Sequence, residues 1–151
     1  MNIVEDDLTG GPVLALLERH MAHMRSLSPP ESVHALDLSG LRGPEITFWT
    51  VWDGADLVGC GALKQIDPAH GEIKSMHTAA EHRGRGVAAA MLAHILAEAR
   101  RRGYRRLSLE TGSMDGFIPA RMLYARNGFF ECPPFDDYAE DPNSTFMTFV
   151  L

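Results

Sequence analysis

Residues 81–88, Glu81-His82-Arg83-Gly84-Arg85-Gly86-Val87-Ala88, place two arginines and two glycines directly ahead of an apolar helical stripe. Glycines let the backbone turn tightly with successive N–H groups pointing outward, and a helix N-terminus adds partial positive charge. That chemistry suits a phosphate, and Arg83 and Arg85 strengthen the anion site. The segment lacks the Lys-Ser/Thr pair of a P-loop and is not the GxGxxG of a dinucleotide fold. Taken alone, it reads more simply as a glycine-assisted strand-to-helix turn with solvated arginines.

Other side chains could move protons. A carboxylate needs only modest desolvation, or a bridging water, to accept a proton from an ammonium. Glu72 and Glu110 are candidates, although the plain reading of each is a solvated carboxylate, Glu72 at an exposed strand position. His77 is of a residue type whose reference pKa is near neutral, but it sits near a strand end, where a histidine is more often solvated or locally hydrogen-bonded. Tyr124 taken alone is a buried helix residue whose hydroxyl has found a partner. The segment Phe135 to Asp141 concentrates four acids, Asp136, Asp137, Glu140 and Asp141. It could steer a cationic amine, and its plain reading is a solvated loop.

These groups need a scaffold. Pro12 followed by Val13, Leu14, Leu16, Leu17, His20, Met21 and Met24 predicts an amphipathic first helix whose methionines belong to the core. Ser28-Pro29-Pro30-Glu31 fits a capping box, and Val33, Ala35, Leu36 and Leu38 then predict a second, short helix. From Ile46 the β-formers Phe48, Trp49, Val51 and Trp52, the turn at 53–56, the run Leu57 to Leu63, the turn at 67–71 and the segment 72–78 predict three successive antiparallel strands. Val87, Met91, Leu92, Ile95, Leu96 and Ala99 form one stripe that Arg100-Arg101-Arg102-Gly103 ends. A strand through Leu107 and Leu109, a helix through Ala120, Leu123 and Tyr124 stopped by Asn127-Gly128, and closing strands at 129–132 and 146–151 complete the order βααβββαβαββ. The expected fold class is α/β (α+β): a mixed, mostly antiparallel central sheet with about four helices on its faces.

With 151 residues, 45% of them hydrophobic, the chain can bury one core, and a single domain over 1–151 is expected. Fourteen Lys and Arg against 20 Asp and Glu leave a net charge of −6, which offers no general attraction to nucleic acid or to a membrane surface. Cys60 and Cys132 are too few and too far apart for a disulfide framework or a metal pair, so both are expected reduced and buried. No residue pattern points to a metal. Without an export signal or an apolar run near the about 18 residues of a membrane span, the expected location is cytoplasmic.

The three-strand meander, the glycine-arginine turn, the long helix, a strand and Leu123-Tyr124-Ala125-Arg126-Asn127-Gly128-Phe129 occur in one order. In this the chain resembles the GNAT superfamily of acyl-CoA-dependent N-acetyltransferases. Arg83 to Ala88 matches that family's Q/R-x-x-G-x-G/A pyrophosphate motif, and Leu123-Tyr124 with Gly128-Phe129 matches its LYxxxGF segment. The runs Gly71 to Met76 and Leu109 to Ser113 are similar to a small bacterial, YsnE-like branch of unassigned acetyltransferases.

The resemblance implies acetyl-CoA as cosubstrate and transfer of its acetyl group to a primary amine of a small molecule or peptide. It implies pyrophosphate contacts from Arg83, Gly84, Arg85, Gly86, Val87 and Ala88, and backbone contacts to the pantetheine arm from Met76, His77 and Thr78. It implies Tyr124 as the acid for the leaving thiolate and Glu72 as the general base, with Glu110 as second choice for base or amine contact and His34 at the acceptor. Phe117 stands where the family often has an asparagine, so the side-chain amide contact to pantetheine is absent, and either backbone contacts or Ser113 must replace it. Small members of the family are often dimers, which makes a homodimer one expected assembly. The competing reading is a catalytically silent acyl-CoA-binding sensor.

Overall fold

The computed structural model describes all residues, 1–151, and contains one seven-stranded sheet of order β1-β2-β3-β4-β5-β7-β6. The strands are β1 (Asn2–Glu5), β2 (Ile46–Asp53), β3 (Asp56–Asp67), β4 (His70–Thr78), β5 (Arg106–Gly112), β6 (Phe130–Glu131) and β7 (Ser144–Val150). The helices are α1 (Gly11–Leu27), α2 (Leu38–Leu41), α3 (Val87–Arg101) and α4 (Ile118–Arg126). Every strand pairs antiparallel with its neighbours except β4 with β5, which run parallel because α3 crosses over between them. The element order is the one read from the sequence. No helix is long and apolar enough to cross a membrane.

Apolar stripes place the layers. The α3 positions Val87, Met91, Leu92, Ile95, Leu96 and Ala99 join Leu63, Ile73, Leu107, Leu109 and Tyr124 on one face of the sheet. Val13, Leu16 and Leu17 of α1 pack with Phe48, Cys60 and Ala62 on the other. Period-2 alternation along β3 therefore feeds two cores, Leu63 to the α3 side and Ala62 to the α1 side.

The second helix differs from its expectation. Pro30–Ser32 makes one 3-10 turn, residues 33–37 run without helical bonding, and α2 begins only at Leu38, where Asp37 Oδ1 accepts from the Gly40 amide at 2.8 Å. No side chain caps the turn after Pro29, and Ser28, the expected cap, instead ends α1 with its amide donating to Met24 O at 3.0 Å. Two prolines end the capping geometry before propagation can repay nucleation. Cys132 also departs from expectation. Both cysteines are free, but only Cys60 is buried, and Cys132 is half-buried at the start of the β6–β7 connection.

Asn127-Gly128 ends α4 by a specific device. Gly128 takes φ 95°, its amide donates to Ala125 O at 3.2 Å, and the Phe129 amide reaches back to Tyr124 O at 3.1 Å. This pair of bonds is a Schellman cap, and its apolar contact is the Tyr124 ring edge-on to Phe129 at 5.7 Å. The LYxxxGF pattern is thus a local folding unit that locks the Tyr124 backbone.

Candidate active site

Strands β4 and β5 are bonded only from His70 opposite Arg106 to Ile73 opposite Leu109, and beyond that they diverge. β4 continues to Thr78 and β5 to Gly112, so the backbone of residues 74–78 has no strand partner on its β5 side. A bulge lies opposite 60–62 of β3, and within it Ser75 holds φ 54°, a left-handed conformation that costs a non-glycine residue of order 1 kcal/mol. The far wall is tied by Arg121, which donates to Gly112 O at 2.7 Å and Met114 O at 3.0 Å. Gly112 has no alternative residue, since a Cβ there would lie 2.2 Å from the Phe117 ring. The wedge between the strands opens into a cavity of about 600 Å³.

At one end of the cavity lies the glycine-arginine turn. Gly84 has φ 75° and Gly86 φ 82°, and a Cβ on either would meet nothing within 4 Å, so open space lies over the turn. Side chains do not cap α3, and the amides of residues 84–89 donate to no acceptor in the chain, the first helical bond being Ala90 N to Gly86 O at 3.0 Å. Six free donors at a helix N-terminus are the donor set a pyrophosphate needs. Arg83, Gly84, Gly86, Val87 and Ala88 line the cavity with Met76, His77, Thr78 and Phe117. Arg85 is exposed and turns toward His82 Nδ1 at 3.5 Å, outside the cavity wall.

Tyr124 lines the cavity, is 6% exposed, and its hydroxyl has no hydrogen-bond partner in the chain. That differs from the plain reading of a phenol satisfied by the core. Burial pushes its ionisation up, so the proton stays on the oxygen at neutral pH.

Part of the cavity wall is polar. Glu72, expected at an exposed position, is 1% exposed: residues 28–37 and the β6–β7 loop cover its face of the sheet. Its Oε2 accepts from the Tyr138 hydroxyl at 2.6 Å and from Lys74 Nζ at 3.2 Å, and its Oε1 is buried with no partner. Glu110 also lines the cavity, and burial raises its carboxyl above the ordinary range. His34 is there too, edge-on to Tyr138 at 5.3 Å. Ser113 is not brought in. It is exposed, and its hydroxyl donates to Pro142 O at 2.7 Å. No group of three or more His, Cys, Asp or Glu is disposed to hold a metal ion.

Sequence reasoning missed Lys74, Tyr138 and the histidine pair. Lys74 carried a signal, since it sits two residues from Glu72 and shares its face of β4. Tyr138 carried none, because a loop's path is not periodic. His20 fell on the α1 stripe, but its partner His77 is 57 residues away, with the two Nδ1 atoms 3.2 Å apart.

Only one ring proton can lie between those nitrogens, so the two rings cannot both be cationic while they stay bonded. Burial, then the nearby His20 and Arg83 charges, hold His77 near pKa 3, and burial holds His20 near 4. A ring that takes a proton only near pH 3 is no base at pH 7. The pair also makes stability pH-dependent. Folded values below the unfolded value near 6.5 mean that the unfolded chain binds more protons between about pH 6.5 and 3, so stability falls as pH falls through that window. Tm should drop by on the order of 4 °C between pH 7 and pH 5 in thermal scans, and the drop should shrink in His20→Gln. Equal drops in both proteins would place the titration elsewhere.

The comparisons agree with this geometry. The profile of the Acetyltransferase (GNAT) family matches residues 13–129. An uncharacterized N-acetyltransferase of Bacillus subtilis, YsnE, is 61% identical over 148 residues, which is 98% of both chains. An uncharacterized Escherichia coli N-acetyltransferase, YedL, is 51% identical over 99% of this chain and 94% of its own. A solved Klebsiella pneumoniae chain, provisionally described as an acyl-CoA N-acyltransferase, is 30% identical and superposes with a TM-score of 0.84 over 99% of this chain and 97% of its own. The diverging parallel strands, the donor-rich turn before α3 and these likenesses over nearly the whole length make this chain an acetyltransferase of the GNAT family.

Proposed function

We propose that the protein moves the acetyl group of acetyl-CoA to a primary amine of a small molecule or peptide. The observation that carries this reading is one cavity lined by five turn residues with free amides, Gly84 and Gly86 to Ala89, together with the partnerless Tyr124 hydroxyl and the buried Glu72 carboxylate. The pyrophosphate of the cosubstrate would take the turn amides and Arg83. Its pantetheine arm would run along the unpaired backbone of Met76, His77 and Thr78, and Phe117 would offer an apolar wall in place of an amide. The thioester then lies beside Tyr124. Glu72 takes up one proton of the acceptor ammonium, the neutral nitrogen attacks the thioester carbonyl, a β4 amide stabilises the oxyanion, and the C–S bond breaks as Tyr124 supplies a proton to the sulfur and is itself reprotonated by the surplus proton of the nitrogen, leaving amide, thiol and neutral phenol. Glu110 and His34 border the acceptor.

Acetyl-CoA at about 100 times its Kd should raise Tm by roughly 5–10 °C, because a ligand of the folded state alone stabilises by mass action. Thiol release across a panel of primary amines should then reveal turnover. A thermal shift without thiol release from any amine would leave the silent sensor. No shift at millimolar acetyl-CoA would sink both readings.

A further inference from the structure

The carboxylate read as the base borders the cavity but is almost entirely covered. Glu72 is 1% exposed, its Oε1 is buried, and its Oε2 is covered by two donors. Tyr138 also lines the cavity, is only half-buried, and its hydroxyl lies 2.6 Å from Glu72 Oε2. Lys74 Nζ donates to both, at 3.2 Å to Oε2 and 3.0 Å to the phenol oxygen, so the three groups close a ring.

We propose that Tyr138 is a catalytic residue that relays the acceptor's proton to Glu72, a role that rests on the reading of Glu72 as the general base. The acceptor ammonium donates to the phenol oxygen. As its proton passes to that oxygen, the phenol's own proton moves along the short bond to Glu72 Oε2. The amine is left neutral, Glu72 is left protonated, and the phenol has the same number of protons as before. No phenolate forms, which agrees with a hydroxyl whose ionisation burial and the Glu72 charge push far up. Lys74 is the positioning residue that holds the two oxygens together.

The loop is built to keep the phenol there. The Tyr138 ring packs against Phe135 at 5.2 Å, Phe146 at 5.4 Å and His34 at 5.3 Å. Farther along, Asp141 accepts from the buried Ser32 at 2.7 Å and fastens the loop to the turn after α1. The acidic run 135–141 thus carries one inward side chain with chemistry among exposed carboxylates at Asp136, Asp137 and Glu140.

The test uses n-butylamine as probe acceptor, with thiol release from acetyl-CoA measured for the native protein, Glu72→Gln, Tyr138→Phe and the double variant. Each single change should lower kcat by roughly 10-fold without altering KM for acetyl-CoA, and the double variant should lose no more than the slower single one, since both remove one relay. Losses that multiply, or a Tyr138→Phe variant with native kcat beside a slow Glu72→Gln, would overturn the relay and leave the base in place. A fully active Glu72→Gln would remove the base and the relay together.

A second measurement does not depend on turnover. The chain has three tyrosines, so protein labelled with ¹³Cζ-tyrosine gives three resolvable signals. In CoA-saturated protein the Tyr138 signal should shift saturably with n-butylammonium chloride while the Tyr104 signal stays still. A Tyr138 signal indifferent to the ammonium overturns the proposal whatever the kinetics show.

Discussion

Tyr124→Phe should lower kcat by roughly 10²-fold, with Kd for acetyl-CoA and Tm nearly unchanged. The stability expectation follows from the missing partner. A buried hydroxyl with a hydrogen bond costs about 1 kcal/mol when deleted, but this hydroxyl has no partner in the chain, and its ring, held against Phe129 by the Schellman cap, is kept by phenylalanine. The catalytic expectation follows from what the departing sulfur needs. In water a thiol holds its proton less tightly than a phenol, so full transfer would run uphill. Within the cavity the developing thiolate is desolvated as well, which raises its affinity for a proton, and a hydrogen bond from a fixed phenol stabilises the charge before transfer is complete. Melting temperature, cosubstrate binding and turnover measured on one preparation separate these contributions. A Phe variant with native turnover removes Tyr124 from the mechanism, and a Tm loss with turnover per folded molecule intact returns it to the core.

The parts of this fold that were legible in the sequence are those whose pattern is local. Period-2 runs joined by Asp53-Gly54-Ala55-Asp56 made the meander readable, the Val87 to Ala99 stripe made α3 readable, and Asn127-Gly128 announced a cap that the bonds from Gly128 and Phe129 realise. The second helix starts later than its expected cap because two prolines follow Ser28 and Ser28 itself closes α1. Site chemistry was legible where a motif is itself a backbone geometry, as at Gly84 and Gly86, whose positive φ angles aim the amides. It was not legible where burial depends on distant segments. Alternation places Glu72 and Lys74 on one face of β4, but nothing in residues 70–78 says that residues 28–37 and 132–143 cover that face. The same limit hid Tyr138 and misplaced Ser113, whose hydroxyl is spent on Pro142.

Gly86→Asp should weaken acetyl-CoA binding by more than about 10²-fold while the protein stays folded. Gly86 is the N-cap of α3 with φ 82° and ψ 11°, and a Cβ built on it meets nothing within 4 Å. The substitution therefore costs backbone strain of order 1 kcal/mol, at the low end because aspartate visits left-handed geometry more readily than most residues. It projects a carboxylate into the space where the free amides of 84–89 converge. Two like charges about 4 Å apart at an effective dielectric near 20 repel by roughly 4 kcal/mol, which alone corresponds to about 10³-fold, and the side chain also competes for the amides as an intramolecular cap. Gly86→Asn separates charge from size, since it has the same shape and the same tolerance of positive φ without the charge. Binding isotherms should show asparagine losing far less affinity than aspartate. Equal losses would mean that the pyrophosphate needs only the open space above the turn, and an unchanged Kd in the Asp variant would move the phosphate site away from Arg83 to Ala88 altogether.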